Sequence, residues 1–382
     1  MLIITLSGYT QSLLKTINLL PDTGVIGSYT TTFGEDNDYQ INSPAYSDNG
    51  NGTVTDNVTS LMWQKLDGGE MTIENALIYV NTLTLGGYSD WRLPSPIESF
   101  SILNHQNNMP AINTTYFTST TAEYWWTNTF QVGDSTKVWC TNSGGGIGNH
   151  PKIETISAGG TKHFHARAVR DAIPNTIISN RFTDNGDETV TDNLTQLIWQ
   201  KTPFNLAKTW EEALNYSEGI TLSGMSDWRL PNIKELQSLN DETVSNPSIS
   251  QTTFPNIGTK NYWSSTTLPN QTTKAWYWNT QFGITTYDTK TNNNYVLCVK
   301  SSSAINYIEE NAKNMNEILP NPFHSSLKLM NSKGNEHYTL TNVNGERLSE
   351  GVNLEIQDFS NLPKGTYFLQ IDKHKPTTLI KE

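Results

Sequence analysis

A chain of 382 residues is too long for one ordinary core and points to two or three domains. Only 16% of it is charged while 10% is aromatic, with 11 tryptophans, a balance typical of strand-rich extracellular modules and unlike a cytosolic helical enzyme. The net charge of −12 and the absence of any basic run exclude a nucleic-acid groove and a broadly basic surface for polyanions, though not a small basic pocket.

In chain order, residues 1–11 form a short apolar run followed by small and polar residues, as at the end of a secretory signal whose basic start is missing. An ordinary N-terminal strand is the alternative. Residues 12–44 are expected to be a linker or strand segment. No apolar stretch approaches the length needed to span a bilayer.

From residue 45 the sequence has a repeating grammar. Tyr46-Ser-Asp-Asn-Gly50 is a turn between β-prone runs and predicts a hairpin ending at Trp63-Gln-Lys65. Thr72 then caps a helix whose apolar stripe is Ile73, Ala76, Leu77 and Val80. The strand Ser89-Asp-Trp-Arg-Leu-Pro94 feeds a second helix, with Ser95 as N-cap, Pro96 at its first position and Glu98 three residues on. Trp- and Tyr-rich strands run on to Val169-Arg170.

The same grammar returns about 137 residues later. Phe182 to Lys201 repeats Tyr46 to Lys65, and Ser226-Asp-Trp-Arg-Leu-Pro231 repeats the strand. Thr209-Trp-Glu-Glu212 is a capping box, with Trp210, Ala213, Leu214 and Ser217 on one helix face, and Asn232 to Glu235 opens the second helix. Further on, Glu123-Tyr-Trp125 aligns with Asn261-Tyr-Trp263, and Lys137-Val-Trp139 with Lys274-Ala-Trp276. This is a tandem duplication of an α+β module, two helices against a mainly antiparallel, irregular sheet.

These motifs resemble the Lcl C-terminal domain family, named for the terminal domain of a bacterial collagen-like adhesin. The Arg-Leu-Pro-plus-helix element is also similar to that of the formylglycine-generating-enzyme group, whose fold is C-type-lectin-like. The resemblance covers 45–171 and 180–300, joined by a linker at 172–179. It implies two tandem C-type-lectin-like modules.

A linker at 301–316 begins with Ser301-Ser-Ser-Ala304, and the tail 317–382 opens with Leu319-Pro-Asn-Pro322. Asn344-Gly345 predicts a hairpin turn, and Leu362 to Ile371 a turn and an alternating strand. By its own pattern the tail is a small all-β sandwich. It also resembles the type IX secretion C-terminal sorting domain. That resemblance implies export across the outer membrane of a Bacteroidetes-type bacterium, with the type IX machinery as partner and the tail as an address.

Several residue groups invite chemistry. Asp90 with Arg92, and Asp227 with Arg229, lie two apart on a strand and so share a face, opposite Trp91 and Trp228. A half-buried ion pair at the strand-to-helix corner explains this spacing better than a ligand does. Asp48, Asp56, Asp184 and Asp192 are hard donors suited to calcium, yet no complete calcium loop exists and Asp, Asn and Gly also make the best turns. No other cofactor or metal is expected. Copy one alone carries the glycine-rich run Asn142 to His150, followed by His163 and His165. This reads as a flexible, copy-specific loop suited to ligand contact.

Aromatic faces stack on sugars while Asn and Thr hydrogen-bond them. Most shared tryptophans belong in the core, whereas Trp126 and Trp278 look unshared and are expected to be exposed. The ligand-contact candidates are Trp126, Asn128, His150, His163, His165, Tyr277 and Trp278.

Catalysis finds no support. Cys140 and Cys298 stand at non-equivalent positions, opposite Tyr277 and Ala168, so the paired-cysteine or copper-thiolate site of the formylglycine-generating group is absent. An interdomain disulfide stays open beside the reading as two buried thiols. No Ser–His–Asp elbow or His-Glu-x-x-His appears.

The expected function is a secreted or cell-surface, adhesin-like binding protein for glycan or extracellular matrix, and not an enzyme. The alternatives are an enzyme acting on an extracellular polymer through the Gly/His loop, and a structural surface protein with no specific ligand.

Overall fold

A computed structural model describes residues 13–118, 122–156, 160–174, 176–301, 318–319, 321–329, 336–343, 346–371 and 377–382. The expected signal at 1–11, all but Ser301 of the linker at 301–316, and the Asn344-Gly345 turn lie outside these residues. The chain divides into two compact units, Met1–Ser302 and Ser303–Glu382.

In the first unit both copies fold alike. Copy one opens with the antiparallel strands Tyr46–Asp48, Thr53–Asp56 and Leu61–Gln64, and its last strand, Val169–Asp171, returns to pair with Leu61–Gln64. Copy two repeats this with Phe182–Asp184, Thr189–Asp192, Leu197–Gln200 and Val299–Ser301. Each module is thus closed by its own C-terminal strand. A second sheet follows the helices: Tyr124–Gln131, Asp134–Asn142 and Ile147–Pro151, with Phe164–His165 added in parallel. Its counterpart is Asn261–Thr267, Lys274–Asn279 and Ile284–Thr289.

The helices form where their caps and stripes predict. α1 (Ile73–Thr82) is capped by Thr72, whose side chain accepts from Asn75 N, and it buries Ile73, Ala76 and Val80. α2 (Pro96–Ser101) has the Ser95/Glu98 capping box. α3 (Trp210–Gly219) has the Thr209/Glu212 box and buries Trp210, Ala213, Leu214 and Ser217, while α4 (Ile233–Ser238) has the Asn232/Glu235 box. Every residue of the six-residue α4 is buried, because α2 and α4 pack where the two copies meet.

The junction is a core in its own right. Phe100, Leu103, Trp139 and Ile147 of copy one pack with Ile233, Leu268 and Trp276 of copy two. A second core joins Val54, Trp63 and Val169 to Val190, Trp199 and Val299, and Ile17 and Leu20 complete it. Residues 16–44 are therefore a packed strap. Lys234 Nζ, buried, donates to the carbonyls of Asp22 and Ser101 at 2.8 and 2.7 Å. Thr30 donates to Glu211, Tyr39 to Glu218, and Thr266 to Asp36. Leu13–Lys15 pairs with Thr176–Ile178.

Register corrects one reading of the repeat. Trp126 opposes Cys140, and Trp263 opposes Tyr277. Both indole N–H groups donate to the carbonyl just before a helix N-cap, Trp126 to Met71 and Trp263 to Lys208. Thr127 and Ser264 bond to the carbonyls of Trp139 and Trp276 in the same way. Trp126 therefore matches Trp263, and the Tyr-Trp alignment slips by one, which turns every side chain to the other face. Trp126 is a shared core residue and is fully buried, not exposed. Trp278, also expected to be exposed, is fully buried in the core that joins the copies.

The second unit has a four-stranded antiparallel sheet in the order Arg347–Val352, His337–Asn342, Gly365–Ile371, Thr377–Lys381. A short pair, Ile318–Leu319 with Lys328–Leu329, accompanies it. Its core holds Phe323, Leu327, Tyr338, Leu340, Leu369 and Leu379.

Candidate functional site

The Asp-Trp-Arg motif is absorbed by structure, with other partners than its spacing predicts. Arg92 makes a bidentate pair with Glu98 at 2.7 and 2.8 Å and also binds Asp171. Arg229 does the same with Glu235 at 2.7 and 2.6 Å. Each glutamate is also its capping-box acceptor, taking the Ser95 or Asn232 N–H. Asp90 instead binds Arg170, and Asp227 binds Lys300. The reason is desolvation: a buried Glu98 or Glu235 carboxylate needs the guanidinium fork most, and the outer aspartates take cations at the rim. Trp91 and Trp228 are core residues.

The hairpin aspartates serve the turns. Asp48 and Asp184 cap Gly50 N and Gly186 N and bind Lys65 and Lys201. Asp56 and Asp192 are buried and accept the N–H groups of Val58 and Leu194, both at 2.9 Å. Among the described residues no three His, Cys, Asp or Glu side chains are grouped to hold a metal ion.

The glycine run is not a free loop. Gly145 has φ +99° and a Cβ there would meet Trp276 of copy two. His105 Nε2 donates to the Gly145 carbonyl and Ile147 N to Thr285 Oγ1. Gly145 to Ile147 are buried, so the glycines let copy one approach copy two closely. Burial drives the His105 imidazole down to about 3, which leaves it neutral.

The three candidate histidines take three separate carboxylates. His165 is buried against Asp67 at 3.0 Å, with Trp125 Nε1 on the other Asp67 oxygen and Arg167 beside it at 3.6 Å. His163 pairs with Glu70 at 3.0 Å, and His150 with Glu154 at 2.9 Å. Around His150 lies a half-exposed face. The Tyr124 ring stacks on Phe164 with centroids 4.6 Å apart and meets His150 at 4.7 Å. Lys162 Nζ lies over Tyr124 and binds Glu154 at 2.7 Å. Burial would raise the Glu154 carboxyl, but Lys162 and His150 outweigh it and hold it below its ordinary value. Burial lowers His150 despite Glu154. The face therefore offers an ammonium, a carboxylate and a neutral imidazole on an aromatic base.

The remaining candidates lie elsewhere. Asn128 is exposed, with its main-chain N–H on the Pro94 carbonyl. Tyr277, half-buried, meets Trp263 edge-on in copy two. Cys140 and Cys298 are free and buried in different cores. Burial raises both thiols, Cys298 to about 12, so neither supplies a thiolate at neutral pH.

The profile of the Lcl C-terminal domain matches residues 52–170 and again 188–300. The chain belongs to the Lcl C-terminal domain family. A secretion-system C-terminal sorting domain matches residues 317–381 and marks the protein as type IX secreted, exported or attached to the outer surface. This tail implies interaction with that secretion machinery. Among the described residues no helix is long and apolar enough to cross a membrane. No curated protein matches the chain.

Comparing the two Lcl modules shows what sequence reasoning missed. Tyr124, Glu154 and Lys162 carry the face around His150, but they meet through the parallel pairing of Tyr124 with Phe164 and through the Lys162 N–H returning to the Glu154 carbonyl, contacts that the sequence pattern does not show. The Asp67–His165–Arg167 cluster also belongs to the first Lcl module alone. The corresponding positions in the second are Pro203, Tyr295 and Leu297. An aspartate, a histidine and an arginine in one copy, where the other has Pro203, Tyr295 and Leu297, were the available signal.

Proposed function

We propose that this Lcl protein is an adhesin-like binding protein of the outer cell surface, holding glycan or other matrix material on the face of its first module. The carrying observation is the half-exposed cluster of Tyr124, His150, Glu154 and Lys162. Its polar groups are already ordered by mutual pairing, so little freedom is lost when a ligand binds. Two helices against two largely antiparallel sheets in each module also fit a C-type-lectin-like arrangement. The second module has Asn261 and Asp288 where the first has Tyr124 and His150, which supports one principal site rather than two equal ones.

The full chain on an array of extracellular glycans, run with calcium and with chelator, tests this. Binding to one glycan class supports the reading, and no binding under either condition contradicts it. Loss of binding in chelator alone would assign calcium a role. The His150–Glu154 pair favours a second reading, a neutral imidazole oriented as a general base for polymer cleavage. Turnover of the bound glycan, lost on His150→Ala, would replace the binding reading with this one.

A further inference from the structure

A second recess lies where equivalent turns of the two copies converge. Each turn is built alike: Asp56 and Asp192 accept the N–H two residues on, and the N–H groups of Ser60 and Gln196 return to the Asp56 and Asp192 carbonyls at 2.9 and 2.8 Å. Ser60 and Gln196 both take left-handed φ, 61° and 64°. Such closed turns present fixed groups to whatever lies between them. Between them and the strap is a cleft of about 190 Å³.

Its chemistry is narrow. Thr16, Asn18, Ser60 and Gln196 bring hydroxyls and amides able to donate and accept, and Asn193, whose amide N–H groups go to the Asn180 carbonyl and Thr183 Oγ1, keeps an acceptor oxygen, over apolar surface supplied by Ile173 and Ile178. The Thr16, Asn18 and Ser60 side chains make no hydrogen bond among the described residues. No lining residue among those described is ionisable. A charged ligand would lose its hydration there without a counter-charge, and a wholly apolar one would leave the polar groups unmatched. The volume is below the roughly 300–1,000 Å³ of pockets for drug-sized molecules, which limits the occupant to about one ring.

We propose that this cleft binds a single uncharged sugar ring, apart from the face on the first module. The inference rests on the glycan-binding reading and adds a subsite to it. Asn18 anchors the strap by its main-chain N–H on the Thr59 carbonyl, while its exposed side chain is free to be changed.

The test titrates the full chain with glucose, galactose, mannose and N-acetylglucosamine, followed by saturation-transfer NMR. Asn18→Trp, which fills the cleft, and Gln196→Ala, which removes an amide, are measured alongside, with thermal melts to confirm folding. The expected result is saturation transfer to at least one sugar, reduced at least tenfold in Asn18→Trp and measurably in Gln196→Ala. Sugar binding unchanged in a folded Asn18→Trp overturns the cleft and leaves the glycan reading standing. So does array binding with no response to any of the four sugars. Failure of both the array and the titration overturns the two together.

Discussion

Arg229 and Arg92 show how one motif position carries different weight in its two copies. The Arg229–Glu235 pair is 4% and 5% exposed at its side chains, whereas Arg92 is 32% exposed above a fully buried Glu98. Removing one partner of a buried pair costs about 3–5 kcal/mol because the other charge stays behind. Arg229→Ala is expected to lose stability in that range by urea melt, and Arg92→Ala less, since water reaches the open side of its pair. Equal losses would mean that burial does not set the difference. The motif itself was legible in the sequence, as were Trp91 and Trp228 as core residues. Its partners were not, because strand alternation says which side chains share a face and nothing about which carboxylate is most desolvated.

Caps and stripes made the elements legible: α1 to α4 each sit behind the N-cap read from Thr72, Ser95, Thr209 or Asn232. Register was harder. The Tyr-Trp match slipped by one residue, and only the shared hydrogen bonds of Trp126 and Trp263 restore it. The glycine run misled for a related reason, since glycine serves a flexible loop and a close approach equally well. Gly145→Ala discriminates between the two. Its φ of +99° and the neighbouring Ala111 and Trp276 leave a Cβ strained and crowded. A loss of at least about 1 kcal/mol in unit stability is expected. No change in the melt would restore the loop as free. Of the ligand-contact candidates, drawn from both modules, only His150 lies on the proposed face, because its neighbours Tyr124 and Lys162 are brought to it by the fold and not by sequence spacing.

At the scale of the whole first unit, the strap and the two modules share one core, so the unit is expected to unfold as one body. Asp22 and Asp36 of the strap sit buried near Lys234, Glu235 and Asp56. Burial raises Asp22 to about 6, and burial and Asp22 together raise Asp36 well above its ordinary value. A raised carboxyl contributes fully below its unfolded value, and that contribution is lost as pH climbs through the folded one. Lys234 runs the other way. Burial lowers it to about 8, so its contribution is full above the unfolded lysine value and is lost as pH falls through about 8. Asp36→Asn keeps an acceptor for Thr23 and Thr266 and removes the ionisation. It should raise the Tm by a few degrees at pH 8, with the gap closing near pH 4. A gap independent of pH would contradict the assignment. The duplicated scaffold thus makes one body, and its two copies differ where the first module gathers Tyr124, His150, Glu154 and Lys162. The most direct test of that localisation is the affinity of the full chain for its best arrayed glycan, measured beside a His150→Ala/Lys162→Ala double variant with an unchanged melt. A loss of at least tenfold in the variant is the predicted result. An unchanged affinity would contradict it.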